Sequence, residues 1–296
     1  LNGLEFTPGS SASSVDNAGH IRDTGLTGDG IDMDGVGGVV INRINSSISG
    51  PTVGIDFSAS LLPSALPSMV LNSGAISSDG VGIIFNAGGT LTNFLNGSII
   101  AQTTGVSFLN AAGFVSNSGS IISTNGAAIS MNDGGSVINT STGMITNSLE
   151  GVVIGGGAGA VNNAGTIQST GILPAILLQS AFSSVANSGS ITGNVQFLAS
   201  HDVFIMTAGK LVGNLLMGPL GNETAIFQGV KDTNIDTIGL FNGGGGGQDQ
   251  LTFNNSQYTG GSKIINWETV NIINGSNLTL NSNLVLGGLS ADKTAK

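Results

Sequence analysis

With 296 residues, 49 of them glycine, and only 8% charged side chains, the chain departs from an ordinary globular domain, where about a quarter of residues are charged. Disorder is excluded too, because disordered chains pair low hydrophobicity with high charge, and this one is 40% hydrophobic. Its net charge of −10 comes from scarce cations: no Lys or Arg lies between Arg43 and Lys210, which excludes nucleic acid and an anionic membrane surface as partners.

Cysteine is absent, which suits a chain that crosses an oxidising compartment unfolded. No run of 18 apolar residues offers a membrane-spanning helix. If the chain is exported, its leader has been removed or lies outside this sequence.

The first recurring unit is Val15-Asp16-Asn17-Ala18-Gly19-His20-Ile21: an apolar residue, an Asn, a small residue, Gly and a closing Ile. His20 stands where other copies carry Ser, Ala or Thr, and no second His or Cys accompanies it, so zinc is unsupported. Next comes an acidic patch, Asp23, Asp29, Asp32 and Asp34. If Ile31 and Met33 point inward, Asp32 and Asp34 share the outer face two residues apart. The patch reads as a solvated surface; the alternatives are calcium binding by Asp29, Asp32 and Asp34 and acid–base catalysis by the pair Asp32 and Asp34.

Further copies follow at Leu71-Asn72-Ser73-Gly74-Ala75-Ile76, Val115 to Ile121, Val161 to Ile167 and Val185 to Ile191. Looser ones fall at Ile44-Asn45-Ser46-Ser47-Ile48, Asn96-Gly97-Ser98-Ile99 and Val137 to Ile145. The closing positions Ile21, Ile48, Ile76, Ile99, Ile121, Ile145, Ile167 and Ile191 recur every 22 to 28 residues, the mark of stacked repeats. Residues 105–123 show what one repeat contains. Val106 to Leu109, Phe114 to Ser116 and Ser120 to Ile122 are short strands separated by Gly- and Asn-bearing turns. Residues 126–146 read alike. The expected fold is all-β: a right-handed parallel β-helix with three short strands per coil of about 22–28 residues. Its glycines are expected at turn positions needing positive φ, and its recurring Asn side chains can form an amide ladder.

Regular repeats are expected over residues 1–200. Over 201–289 the register changes, aromatics become commoner, and strand-like runs continue from Val203 to Leu280 as irregular, capping coils. Residues 290–296 form a tail. His201-Asp202 reads as a turn at the junction. Gly244-Gly245-Gly246-Gly247-Gln248-Asp249-Gln250-Leu251 matches a calcium-binding nonapeptide through Asp249, but that motif works by stacking copies, and one copy reads better as a Gly turn.

Lys263-Ile264-Ile265-Asn266-Trp267-Glu268-Thr269-Val270-Asn271-Ile272, followed by Ser276-Asn277-Leu278-Thr279-Leu280, resembles the C-terminal part of the passenger of type V autotransporters. The Gly-rich stretch before it, Gly193-Asn194-Val195 and the upstream Asn-Ser-Gly-Ser-Ile units are similar to that family too. The resemblance implies a β-helix shown on the outer membrane's extracellular face or released, delivered by a C-terminal β-barrel that this chain lacks. It implies that residues 201–289 act in an autochaperone-like way.

The expected function is that of a non-enzymatic adhesin or self-association module, whose partners are a host-cell surface, a matrix protein, a glycan or a second copy. No cofactor and no metal is expected. Residues 49–69, with Pro51, Pro63 and Pro67, and the Leu173-Pro174 insertion are candidate contact loops. One alternative is a passive stalk carrying an effector upstream of Leu1. A second is a glycan-hydrolysing β-helix, because the cation-free stretch removes the groups a polyuronate lyase needs and leaves only Asp chemistry.

Overall fold

In the computed structural model the described residues are 2–6, 13–33, 37–57 and 68–287. Asp34, the middle of the 49–69 loop with Pro63 and Pro67, and the tail 290–296 lie outside them.

The fold is a parallel β-helix. Short strands repeat in threes, and each pairs in parallel with the strand one coil away. The first face runs from Leu4–Phe6 to Ile264–Ile265 and the second, with 12 strands, from Ser13–Asn17 to Thr269–Ile273. The third starts at His20–Arg22. At about 4.8 Å per coil the stack is roughly 50 Å long. Alternation of period two explains the core, because every second side chain points inward. Ile31, Ile55, Ile83, Val106, Ile129, Val152 and Ile176 stack on the first face. Val15, Val40, Val70, Leu91, Val115, Val137, Val161 and Val185 stack on the second. The eight closing Ile residues stand in one register on the third, as their spacing predicts.

At the corner between second and third faces the repeated Asn forms a buried amide ladder. Asn17, Asn42, Asn72, Asn93, Asn117, Asn139 and Asn163 each donate from Nδ2 to the next Oδ1 at 2.8–2.9 Å, and Asn187 ends the ladder as an acceptor. A primary amide carries both donor and acceptor, so identical side chains in register satisfy one another without charge. Two members differ from the sequence reading. The looser copies drew attention to Asn45 and Asn96, but Asn42 and Asn93 occupy the ladder. Their turns are two residues longer than in the Asn72 or Asn117 coils. Asn45 sits in the inserted segment at φ 64, exposed, and Asn96 is exposed as well.

The glycines that follow six of the ladder Asn residues also have a different reason from the one expected. Gly74, Gly97, Gly119, Gly143, Gly165 and Gly189 are not among the glycines with positive φ. A Cβ on five of them would press on a ladder amide or on the turn carbonyls one coil away, and on Gly189 it would press on the Gly165 carbonyl. Close backbone approach, not left-handed conformation, demands Gly there.

Below Asn187 the column continues as Met206, Phe227 and Phe253, and the interior becomes aromatic. Phe204, Phe227, Phe241, Phe253 and Tyr258 pack with ring centroids 5.3–5.9 Å apart. The strand Lys210–Leu216 bends at Gly213 (φ 155), serving the third face with its first half and the first face with its second. A one-turn helix, Asp232–Ile235, then fills the third-face position and buries Ile235. Trp267 is wholly buried, its indole Nε1 donating to the Phe241 carbonyl at 2.9 Å. Among the described residues no helix is long and apolar enough to cross a membrane.

Candidate functional site

Two places concentrate polar chemistry. The first is a groove of about 610 Å³ on the outer side of the third face, across the N-terminal coils. Arg22, Ser49, Ser77 and Ile100 follow one another in register along its floor. The corner segments with Asp23, Pro51, Asp79 and Gln102 make its wall. Arg22 is exposed and has no ion pair: among the described residues the salt bridges are Arg43–Asp16 and Lys263–Asp236. Arg43 grips Asp16 through Nε and Nη2 at 2.6 Å each, which holds the Asp16 carboxyl below its ordinary range. The groove therefore presents one guanidinium without an ion pair, the wall carboxyls of Asp23 and Asp79, several hydroxyls, an amide and the exposed side chain of Ile100. His20 lies beside it, with Nδ1 2.9 Å from Ser47 Oγ, its register partner one coil on.

The acidic patch assembles differently from its sequence order. Ile31 and Met33 do point inward, and Asp32 faces out. Its neighbours in register are Glu5 and Asp56 from the adjoining coils, and Asn2 Nδ2 donates to Asp32 Oδ2 at 2.7 Å. Asp23 instead closes an Asx turn, accepting the Gly25 N–H at 2.8 Å. Among the described residues no group of three or more His, Asp or Glu is placed to hold a metal ion.

The second place is a column of acids at the corner between first and second faces. Asp202, Glu223, Asp249 and Glu268 each immediately precede a second-face strand, and those strands are in register. Every one of them catches a backbone N–H from the coil above. Ser183 N donates to Asp202 Oδ1 at 2.7 Å, His201 N to Glu223 Oε1 at 3.2 Å, Glu223 N to Asp249 Oδ1 at 3.0 Å and Asp249 N to Glu268 Oε2 at 2.8 Å. Asp202, Glu223 and Asp249 have no solvent exposure at all. Burial, the largest cause in each case, raises their carboxyls: Asp202 to about 6, Glu223 to about 9, and Asp249 upward as well.

Sequence reasoning took His201-Asp202 as a turn and Asp249 as part of a Gly turn. His201 is indeed left-handed (φ 62), with its ring stacked on Phe182 at 5.0 Å, but its neighbour Asp202 is core. Glu223 was not singled out. The signal was present: the four acids recur 21, 26 and 19 residues apart, close to the coil period, each just before an apolar-alternating run.

Comparison with protein-family models, with curated proteins and with solved structures finds no match to this chain.

Proposed function

We propose that the chain is the displayed passenger of an autotransporter-type surface protein and works as a non-enzymatic adhesin, with glycan as the ligand class of its groove. The observation that carries this reading is the third-face groove. Its hydroxyls and the Gln102 amide suit a polyhydroxylated ligand, Ile100 and Pro51 offer apolar surface to sugar C–H faces, and the unpaired Arg22 supplies a strong directional donor. Contacts of this kind are weak singly and add up when many copies face a cell.

Beads coated with the chain are expected to attach to host cells, and soluble glycans that compete for the groove should release them. Arg22→Ala should lower attachment several-fold while leaving the circular dichroism spectrum unchanged. Equal attachment by wild type and Arg22→Ala would remove the groove from the reading. Beads that neither attach nor clump would favour a passive stalk, for which the unbroken amide ladder provides a stiff axis.

A further inference from the structure

The acid column poses a problem of proton accounting. Each of its upper three members uses one carboxyl oxygen to accept a backbone N–H. The other oxygens, Asp202 Oδ2, Glu223 Oε2 and Asp249 Oδ2, are buried and have no donor. Glu223 stands one coil from Asp249, and Asp249 one coil from Glu268, each pair just ahead of strands in register. Two ionised carboxylates cannot hydrogen-bond; one of each facing pair needs a proton. The titratable groups facing the column are its own members and His201 beside Asp202. Among the described residues no Lys or Arg pairs with it, and no metal cluster includes it.

We propose that this column is a proton-binding clasp: protons held by the buried carboxyls of Glu223 and Asp249, each stacked on the next acid of the column, tie the last coils together in acid and are released as the medium turns alkaline. The sign follows from linkage. A carboxyl raised in the folded state keeps a proton that the unfolded chain loses near its ordinary value of about 4. Its stabilisation is complete below that value and is lost as the pH climbs through the folded values, about 6 for Asp202 and about 9 for Glu223.

Thermal melts of the full chain followed by circular dichroism, from about pH 5 to about pH 9, test this. The midpoint is expected to be highest at the acid end and to fall by on the order of 5 °C or more toward the alkaline end. Glu223→Gln places a permanent donor where the proton sat. It should melt like wild type in acid, melt higher in alkali, and flatten the profile. Asp16→Asn, on an exposed acid elsewhere, should keep the wild-type slope and so separates the clasp from the general relief of net negative charge. A flat or rising wild-type profile, an unchanged slope in Glu223→Gln, or rescue of the alkaline midpoint by calcium would each overturn the proposal. If Glu223→Gln does not fold, infrared spectroscopy of the wild type decides: a protonated-carboxyl stretch persisting at about neutral pH is expected, and its absence sinks the clasp.

Discussion

Replacing Asn117 by leucine is expected to destabilise the coils around it by about 3–5 kcal/mol, read as a lower urea midpoint. Leucine keeps the number of side-chain heavy atoms and the branch at Cγ, so it leaves no cavity and loss of packing is not the cause. The cause is that Asn117 is one link in a chain. Its Oδ1 accepts from Asn93 and its Nδ2 donates to Asn139 and to the Met144 carbonyl. Removing it leaves the Asn93 amide without one acceptor and the Asn139 oxygen without one donor, in a corner with no solvent. Each buried polar group left without a partner costs about 1–3 kcal/mol. The same change at Asn17, at the end of the ladder, takes one donor from the Asn42 oxygen, which keeps Ser46 Oγ, and otherwise releases the Gly19 N–H at an exposed turn and the Ser47 carbonyl, so it should cost less than half as much. Equal losses at Asn17 and Asn117 would mean that the ladder is not cooperative with its neighbours.

How much of this was legible beforehand depends on whether the deciding signal was local or periodic. The closing Ile column was readable because a buried β-branched residue recurs at a nearly fixed interval, and the structure puts all eight in register. The strands of the 105–123 repeat were readable for the same reason, and they fall at Val106–Phe108, Gly113–Asn117 and Ser120–Ser123. Asn42 and Asn93 were missed because a two-residue turn insertion moves the Asn away from its closing Ile, and a second Asn inside the insertion imitates the unit. Asp202 and Asp249 read as turn residues and Glu223 drew no notice, because an acid in a Gly-, Asn- or His-bearing connection normally marks a solvated turn. Here the corner itself is inside. The helix Asp232–Ile235 left no periodic trace, being a single turn.

The acid column also shows how the corner chemistry changes along the rod. In the upper coils the residue before each second-face strand interior is Gly89, Gly113, Gly135 or Gly159, with Gly89 and Gly135 at φ 158 and 137. There is no side chain to bury, and the corner stays tight. Gly159 N then donates to Ser183 Oγ at 3.0 Å, and from that coil onward a side chain takes over the work of satisfying the N–H above. Serine does this without charge. Aspartate and glutamate do it with a stronger acceptor, but a second oxygen comes with it, and that oxygen creates the need for a proton. The amide ladder and the acid column are thus two answers to one problem, polar groups stacked in a dry corner. Only the second depends on the solution outside.

The glycine of the repeat provides the sharpest test of the stacking itself. Gly119→Ala is expected to lower stability by about 2–4 kcal/mol, whereas Gly19→Ala should stay within about 0.5 kcal/mol of wild type or improve on it. Both glycines hold the same place in the same motif, and sequence alone treats them as equivalent. The structure does not. A Cβ at Gly119 would collide with the carbonyl oxygens of Gly97 and Phe94 and lie 2.8 Å from the Asn93 Nδ2, so the ladder or the turn above must move. A Cβ at Gly19, in the first coil, meets nothing within 4 Å. Freed of that collision, alanine there mainly reduces the freedom of the unfolded chain, which favours folding slightly. Chemical denaturation of the two variants side by side measures the difference. A mild Gly119→Ala would show that the coils are spaced more loosely than a parallel ladder allows. A severe Gly19→Ala would mean that another segment packs over the first coil at that turn.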